Sequence, residues 1–189
     1  MRAFIAVELP PSVQGELVSL QRDVAKSGAD VKWVEKDTLH VTMRFLGEIT
    51  EEQRQAIERL LEKVAGHTGP IQLGFSHVGA FPSSSSPRVI WVGIGQGSDL
   101  LTRLAAEIEE GLAKLTMPRA DRDFAAHVTL GRVRSPRNRS QFAARIKELV
   151  WNPPATFVAT HLTLFQSLLT RAGPTYTPLA RVRIADEHA

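Results

Sequence analysis

Cysteine is absent from this chain of 189 residues. Its absence excludes disulfide bonds, thiolate nucleophiles and thiolate metal ligands together. Long hydrophobic runs are also absent, because no stretch approaches the roughly 20 apolar residues of a membrane span. The first residues, MRAFIAVELPP, lack the apolar core and the small-residue cleavage site of a secretory signal. We therefore expect a cytoplasmic protein that has no membrane partner.

Common catalytic and nucleotide-binding signatures are missing as well. No G-x-S-x-G nucleophile elbow occurs, which argues against a Ser-His-Asp hydrolase. A Walker loop is absent, and no G-x-G-x-x-G motif follows a strand, since GIGQGS at residues 93–98 matches only in composition. The sequence thus contains no sign of a loop that cradles the phosphates of a nucleotide cofactor.

The overall composition is that of an ordinary globular protein. Hydrophobic residues make up 43% and charged residues 23% of the chain, and residues 1–189 are expected to form a single compact domain or two small lobes that share one core. The net charge is only +3, but 17 of the 23 cationic residues are arginine, and six of these lie between residues 119 and 139. Arginine grips phosphate oxygens with a planar fork, so this segment fits a phosphate or RNA partner. Adaptation to high temperature or a GC-rich genome explains the bias equally well.

The hydrophobic periodicity predicts about eight strands and four helices, in an order that does not repeat a β-helix-β-helix alternation. This order favours an α+β fold with largely antiparallel sheets. We expect helices at residues 11–26, from Thr50, from Ser98 or Asp99, which can act as its cap, and at 140–150. We expect strands at residues 3–8, 31–34, 40–46, 71–78, 88–94, 127–133, 156–165 and 176–184.

The tripeptide His-Val-Thr occurs twice, in LHVTMRFLGE at residues 39–48 and in AHVTLGRV at residues 126–133. A third near copy, HLTLF at residues 161–165, keeps the His-x-Thr spacing in different surroundings. Composition alone predicts only about 0.4 His-x-Thr occurrences in a chain of this size. The three occurrences therefore exceed the number that chance supplies.

On a β-strand, side chains two residues apart project from the same face. His40 and Thr42 then project together, as do His127 and Thr129, while the apolar neighbours of each motif face the core. By the same alternation, Arg44 continues the polar row of the first motif. Each motif strand is therefore expected to bury one face in its lobe and to present an imidazole and a hydroxyl on the other.

Two such strands that line one cleft would place two imidazoles on opposite sides of a substrate, where one donates and the other accepts a proton near neutral pH. A phosphate diester suits this arrangement, because its hydrolysis needs an activated water on one side and a protonated leaving oxygen on the other. Three alternatives stay open. The motifs are the polar faces of ordinary strands, they belong to a metal site, or they hold a nucleotide or an RNA end without turnover. Against a metal site, each motif supplies one good ligand and has no matching carboxylate.

Several segments carry a resemblance to a known family: RAFIAVELP, LHVTMRFLGE, GAFPSSSSPRVIWVGI, FAAHVTLGRV and LTLFQSLLTRAGPTYTPL. In this order, and across nearly the whole chain, they resemble the two-histidine (2H) phosphoesterases. More narrowly, they resemble the LigT-like RNA 2',3'-cyclic phosphodiesterases once called 2'-5' RNA ligases. The resemblance implies a bilobal α+β fold, in which two mainly antiparallel sheets with flanking helices enclose a central cleft and each lobe contributes one H-x-T-x motif.

The resemblance also implies an activity, the metal-independent hydrolysis of a terminal RNA 2',3'-cyclic phosphate to a 2'-phosphate, with reversible 2'-5' ligation as a side activity. It implies that His40 donates a proton to the departing 3' oxygen, that His127 activates water, and that Thr42 and Thr129 bind phosphate. His161 is not expected to be catalytic. No cofactor is implied, and the expected partners of this monomer are RNAs with cyclic phosphate ends, such as tRNA fragments or oligonucleotides. The alternative enzyme is a phosphodiesterase for small cyclic nucleotides or 2'-5' linkages.

Two arginines follow the motifs at different offsets. Arg44 stands where the family commonly has Lys, and its place in the polar row of His40 makes it a candidate for substrate binding. Arg132 follows the second motif and is also a candidate for substrate binding. Strict alternation points Arg132 away from Thr129 unless Gly131 introduces a bulge. We therefore rank Arg44 above Arg132 as a residue of the cleft.

Overall fold

A computed structural model describes residues 1–184 of the chain. The helices are α1 (Pro11–Ala25), α2 (Glu51–Ala65), α3 (Ser98–Lys114) and α4 (Arg139–Glu148), and a short 3-10 turn spans Lys36–Thr38. The strands are β1 (Arg2–Glu8), β2 (Val31–Trp33), β3 (His40–Glu48), β4 (Ile71–Leu73), β5 (Phe75–Pro82), β6 (Pro87–Ile94), β7 (His127–Val133), β8 (Phe157–Ala159), β9 (His161–Thr170) and β10 (Gly173–Arg183).

One large antiparallel sheet contains eight strands in the order β10-β9-β1-β3-β7-β6-β5, with β2 paired to β7 beside this path. Strands β3 and β7 meet at one residue pair, Val41 and Val128. This pair divides the sheet into a first half, β10-β9-β1-β3, and a second half, β7-β6-β5 with β2. A small separate sheet pairs β4 with β8. The predicted α+β class and antiparallel pairing are confirmed, and the two halves of the large sheet are joined at a single residue pair.

The helices cover one face of the large sheet. Helix α2 packs against β9 and β10, α3 against β3, and α1 against β7 and α4. Alternate side chains of the strands point toward these helices and form the core, which includes fully buried Ile5, Val41 and Val128. Within residues 1–184, no helix is both long enough and apolar enough to cross a membrane. The opposite face of the sheet is left to the motif residues.

Helices α2 and α3 are capped at their N-termini in different ways. The Thr50 hydroxyl accepts a hydrogen bond from the Gln53 backbone N–H at 3.2 Å, and the Gln53 side chain accepts one from the Thr50 N–H at 2.9 Å. This capping box starts α2 at the predicted place. Helix α3 starts differently, because Gly97 is its N-cap, with φ of 81° and no side-chain capping bond. The prediction that Ser98 or Asp99 caps α3 is therefore wrong.

Two predicted strands are each split in two. The predicted strand at 71–78 ends at Leu73 and resumes at Phe75, and the predicted strand at 156–165 is interrupted at Thr160. In both cases the first piece leaves the large sheet, so that β4 and β8 pair with each other. The pattern of apolar residues does not specify which sheet each piece joins, because buried strands in either sheet need the same residues.

Candidate active site

The two His-Val-Thr motifs lie side by side where the two halves of the sheet meet. Val41 and Val128 pair across β3 and β7, and both are fully buried under the helices. Their neighbours in each strand consequently face the other side of the sheet. Four partly buried polar side chains are placed there: His40, Thr42, His127 and Thr129. The structure thus brings the two predicted motifs together on one face.

Both motif imidazoles are held in the same way. Nδ1 of His40 lies 2.6 Å from the carbonyl oxygen of Thr38, and Nδ1 of His127 lies 2.6 Å from the carbonyl oxygen of Ala125. A carbonyl oxygen only accepts, so Nδ1 donates in each ring and Nε2 is left to exchange protons. Nε2 of His40 lies 2.9 Å from Oγ1 of Thr42. The two rings therefore present the same nitrogen for chemistry.

Burial lowers the pKa of His40 below its ordinary value, because the surroundings penalise the charged imidazolium. The hydrogen bond to the Thr38 carbonyl acts in the opposite direction, and the nearby charge of His127 lowers the pKa further. The protonation of His40 therefore responds to the charge of His127. A negatively charged ligand between them would favour the charged form of His40, because an opposite charge raises the pKa of histidine.

The first motif departs from strict alternation directly after its hydroxyl residue. In the β1–β3 ladder, Thr42 pairs with Ala6 and Arg44 pairs with Ile5, so Met43 is an extra residue. Residues that pair across antiparallel strands project from the same face. Arg44 therefore projects with Ile5 toward the helices, on the face opposite to Thr42.

The contacts of Arg44 agree with this placement. Its Nε lies 2.6 Å from Oε2 of Glu109 in α3, and its terminal nitrogens donate to the carbonyl oxygens of Phe45 and Pro118. Burial alone would raise the pKa of Glu109, but hydrogen bonds from Arg44 and from the Ala120 backbone hold that pKa below its ordinary value. The prediction that Arg44 continues the polar row of the first motif is wrong, because the bulge turns it to the helix side.

The second motif contains a bulge as well, with the opposite consequence for its arginine. In the β6–β7 ladder, Thr129 pairs with Trp91 and Arg132 pairs with Val89, so three steps along β7 match two steps along β6. Trp91 and Val89 are two residues apart and share a face, and their partners share it too. The bulge considered for Gly131 is therefore present, and Arg132 projects on the motif face.

The charge of Arg132 acts on Tyr176, whose ring lies beside the first motif. Burial raises the pKa of the Tyr176 hydroxyl, whereas the positive charges of Arg132 and Arg2 lower it. The Tyr176 ring lies 5.5 Å from the ring of His40. Lys32 pairs with Arg132 across β2 and β7 and shares its face. The strand register therefore places Arg132, and not Arg44, on the motif face.

Aromatic rings surround His40 on the first half of the sheet. The ring of Phe4 lies 4.9 Å from His40 and 5.3 Å from Phe165, and Tyr176 contacts Phe4 edge-on at 4.8 Å. Phe4 is only 3% exposed, whereas Phe45, 6.0 Å from Phe4, is 63% exposed. Tyr176 has no role predicted from the sequence. Its one signal is its place in the segment LTLFQSLLTRAGPTYTPL.

Phe81 and Trp91 occupy the corresponding place beside His127 on the second half. The Phe81 ring lies 5.6 Å from the His127 ring at 89°, and the Trp91 ring lies 6.5 Å from it. Both residues belong to the segment GAFPSSSSPRVIWVGI, which carries part of the family resemblance. Neither has a role predicted from the sequence, because an alternating pattern does not separate a ring that lines a cleft from one that packs a core.

The third His-x-Thr copy lies elsewhere on the sheet. His161 is the first residue of β9, and its Nδ1 lies 2.8 Å from Oγ1 of Thr160. Burial lowers the pKa of His161, and the charge of Arg181 lowers it further. His161 lines a cavity of about 330 Å³ together with Glu8 and Arg181, and neither motif histidine lines that cavity. Strand β1 lies between β9 and β3, so one strand separates His161 from His40.

The motifs themselves supply imidazoles and hydroxyls, a donor set that suits proton transfer and the binding of phosphate oxygens. Within the described residues, no group of three or more His, Cys, Asp and Glu side chains is placed to hold a metal ion. Metal-independent catalysis stays a prediction, which a chelation experiment tests directly.

Comparison with known proteins agrees with the motif arrangement. The family model LigT like Phosphoesterase matches residues 7–91 and again residues 92–176, and each match contains one motif. The RNA 2',3'-cyclic phosphodiesterase of Archaeoglobus fulgidus is 37% identical over 179 residues, which cover 95% of this chain and 98% of the relative. The enzyme of the same name from Methanocaldococcus jannaschii is 34% identical over 176 residues, which cover 93% of this chain and 96% of the relative.

Solved structures give the same result. The crystal structure of TT0787 from Thermus thermophilus has a TM-score of 0.82 and 28% identity, and the match covers 100% of both chains. The crystal structure of E. coli LigT complexed with 3'-AMP has a TM-score of 0.78 and 25% identity over 98% of both chains. With the family model matched in both halves and full-length relatives above 30% identity, the chain belongs to the LigT-like phosphoesterases, members of the two-histidine phosphoesterase superfamily.

Proposed function

We propose that this protein hydrolyses the 2',3'-cyclic phosphate at an RNA end to a 2'-phosphate, with His40 and His127 as the acid and the base. The matched pair of imidazoles carries the proposal, since each has Nδ1 on a backbone carbonyl oxygen, which leaves Nε2 as the nitrogen that exchanges protons. Nε2 of His40 also lies 2.9 Å from Oγ1 of Thr42. The names of the Archaeoglobus and Methanocaldococcus relatives support the RNA cyclic phosphate as the substrate class. Residues 1–189 then act as one bilobal domain, whose last five residues lie outside the described part.

The proposed reaction is a displacement at phosphorus. A water oxygen attacks the phosphorus atom while Nε2 of His127 takes its proton, and the bond from phosphorus to the 3' oxygen breaks. Nε2 of His40 gives its proton to that 3' oxygen. The products are a 2'-phosphate and a free 3'-hydroxyl group, and a second exchange of protons restores both histidines. The anionic phosphate itself favours the charged form of His40 that the step requires.

The remaining motif residues bind the phosphate. The hydroxyls of Thr42 and Thr129 project with the imidazoles and can donate to non-bridging oxygens. Arg132 offers two parallel N–H groups on the same face, and Lys32 beside it adds a second charge. These positive groups stabilise the charge that develops on phosphate oxygens in the transition state. Arg44 has no part in this scheme, because its guanidinium is bound to Glu109 and backbone carbonyls.

The same arrangement also supports the proposal of reversible 2'-5' ligation as a side activity. When the 5'-hydroxyl group of a second RNA replaces water, the identical proton transfers join the 2' phosphate to the 5' oxygen. Water and a hydroxyl group use the same base, so hydrolysis and ligation differ only in what occupies the space beside His127.

The test uses an oligoribonucleotide that ends in a 2',3'-cyclic phosphate, incubated with the purified protein in the presence of EDTA. We expect turnover at the same rate with and without the chelator, and a 2'-phosphate product when the new terminus is mapped. A matched oligonucleotide with a 3'-phosphate end is the control for contaminating phosphatase. Activity that disappears on chelation and returns with a divalent metal would refute the proposal. A 3'-phosphate product would exchange the roles of the two ribose oxygens and reject the stated orientation.

A further inference from the structure

The second half of the sheet carries an aromatic surface that hydrolysis by water does not need. We call it the Phe81–Trp91 platform, two rings whose centroids lie 5.0 Å apart at an interplanar angle of 31°. Phe81 is 40% exposed although its ring lies 5.6 Å from that of His127. Neither ring belongs to the hydrophobic core formed by the described residues. Core packing therefore does not account for the platform.

The backbone around Trp91 leaves room for the indole to lie against the sheet. Gly79 pairs directly with Trp91, and Gly93 follows Trp91 two residues later on the same strand. A Cβ at Gly79 would lie 2.5 Å from Cζ2 of the indole, and a Cβ at Gly93 would lie 3.4 Å from Cζ3. A side chain at Gly79 would thus displace the ring. Among residues 1–184 the buried indole Nε1 has no hydrogen-bond partner, so the ring is not held there by a polar contact.

The direction of the proposed reaction, on which this inference rests, assigns the platform to one side of the phosphate. The entering and departing oxygens lie roughly in line across the phosphorus atom. His40 protonates the departing 3' oxygen, so the ribose of the RNA end lies toward the first half of the sheet. The entering oxygen then lies beside His127, next to the platform. A water molecule does not need an aromatic surface there, whereas a nucleoside does.

We propose that the Phe81–Trp91 platform is an acceptor site, which stacks the nucleobase of an RNA end that carries a 5'-hydroxyl group. The 5' oxygen of the acceptor attacks phosphorus and gives its proton to His127. The bond to the 3' oxygen breaks, and that oxygen takes the proton of His40. One P–O bond forms and one breaks, so the phosphate ends between the 2' oxygen of one RNA and the 5' oxygen of the other. The reverse reaction cleaves the 2'-5' linkage at the same place.

Stacking on an aromatic ring tolerates any base, because every base has a π face. The platform therefore predicts an acceptor preference for a nucleoside over a sugar without a base, with little dependence on which base is present. Phe45 is the matched exposed ring on the other half, since it lies beside Phe4 on the side of His40. Removal of Phe45 is expected to weaken binding of the cyclic phosphate nucleoside and to leave the choice of acceptor alone.

The experiment offers two acceptors to the enzyme together with an oligoribonucleotide that ends in a 2',3'-cyclic phosphate. Adenosine provides a base and a 5'-hydroxyl group, and methyl riboside provides the 5'-hydroxyl group without a base. The measured quantity is the ratio of 2'-5' transfer to adenosine over transfer to methyl riboside, in which any general loss of rate cancels. We expect a ratio of about 10 or more in the wild-type enzyme, in the range that base–aromatic stacking supplies.

Phe81→Ala should lower this ratio toward one, Phe81→Tyr should restore it, and Phe45→Ala should keep the wild-type ratio at a lower rate. Circular dichroism and thermal melting confirm that each variant is folded, and Phe81→Leu replaces the alanine variant if that one unfolds. A wild-type ratio near one, a ratio unaffected by Phe81→Ala, or hydrolysis without any transfer at saturating adenosine would overturn the acceptor site. A wild-type enzyme that fails to hydrolyse the cyclic phosphate would instead refute the proposed function itself.

Discussion

The two motif strands begin alike and then differ in what they present. Both β3 and β7 carry an imidazole, a hydroxyl and one extra residue directly after the hydroxyl. When the strands are aligned on this bulge, Arg44 corresponds to Gly131, and both positions are on the face of the sheet that the helices cover. The next position returns to the motif face, where β3 presents the exposed ring of Phe45 and β7 presents Arg132. The same kind of bulge thus places an aromatic ring on the motif face in the first half of the sheet and a cation on that face in the second half.

This difference makes a symmetric pair of motifs into an asymmetric site. On β7, glycine at the bulge lets β2 approach closely, because a Cβ at Gly131 would lie 2.6 Å from Cγ1 of Val31. On β3, the same position is free to carry Arg44, whose side chain anchors α3. The repeated tripeptide therefore places equivalent imidazoles and hydroxyls on both strands. In the proposed mechanism, the residues after it decide which half binds the ribose and base of the cyclic phosphate end and which half neutralises the phosphate.

The largest loss of turnover is expected from the two imidazoles, which occupy equivalent positions in β3 and β7. His40→Ala and His127→Ala should each lower turnover of an RNA cyclic phosphate by about 10²- to 10⁴-fold, because each removes one proton transfer. His161→Ala is the matched control, since it removes a third His-x-Thr histidine outside the pair, and it should change the rate by less than about threefold. More than about a tenth of wild-type turnover in either motif variant would remove that residue from the acid-base pair.

The two arginines give the sharpest test of the bulge. Arg132→Met should lower kcat/KM by about 100-fold, mainly through KM, because a charged bidentate contact to phosphate is lost. Arg44→Met should keep kcat/KM within about threefold and lower the free energy of unfolding by about 1 to 3 kcal/mol, because Glu109 loses its partner. Steady-state kinetics and urea unfolding measure the two effects. The opposite pattern would return Arg44 to the cleft and turn Arg132 away from it.

A smaller effect is expected from the hydroxyls, because each makes a single hydrogen bond. Thr42→Val and Thr129→Val keep the side-chain shape, and each should lower kcat/KM by about tenfold. Thr42→Val should be the more harmful of the two, since Oγ1 of Thr42 also lies 2.9 Å from Nε2 of His40. Unchanged kinetics in both variants would contradict phosphate binding by the hydroxyls and would leave strand formation as the role of the two threonines.

The smallest effect is a displacement of pH profiles. As the proposed proton donor, His40 acts in its charged form, so the rate should fall as pH rises through its pKa. Burial and the charge of His127 lower this pKa in the free enzyme, and a bound phosphate raises it. The alkaline limb of kcat/KM should therefore lie at lower pH than the alkaline limb of kcat. The limbs belong to the coupled pair of imidazoles. Coincident limbs, measured at constant ionic strength, would contradict a proton donor with a lowered pKa.

The sequence predicted the site best where strict local geometry applies. A period of two along a strand is sufficient to place His40 with Thr42 and His127 with Thr129, and the burial of Val41 and Val128 confirms both faces. The same rule failed at Arg44, because one extra residue inverts every later position in a strand. In β7, Gly131 follows the extra residue, and this glycine indicated a bulge from the sequence. In β3, the extra residue is Met43, and no glycine or proline beside it indicates a bulge.

Contacts between residues far apart in the sequence could not be predicted in this way. Tyr176 reaches His40 only because β10 pairs with β9, and β9 pairs with β1, at one edge of the first half. Phe81 and Trp91 reach His127 because β5 and β6 continue the second half. Strand order depends on which edges pair, and the alternating pattern of a strand is the same whichever neighbour it has.

The sequence by itself determined the chemistry of this protein: no thiol, two histidines in matched strand positions, and a hydroxyl beside each. Those properties follow from residue identity and from the period of a single strand, so they need no knowledge of the rest of the chain. Only the tertiary structure decided that β3 and β7 meet at Val41 and Val128, which places the two imidazoles on one face. It also decided, through two bulges set by strand pairing, that Arg132 and not Arg44 completes that face.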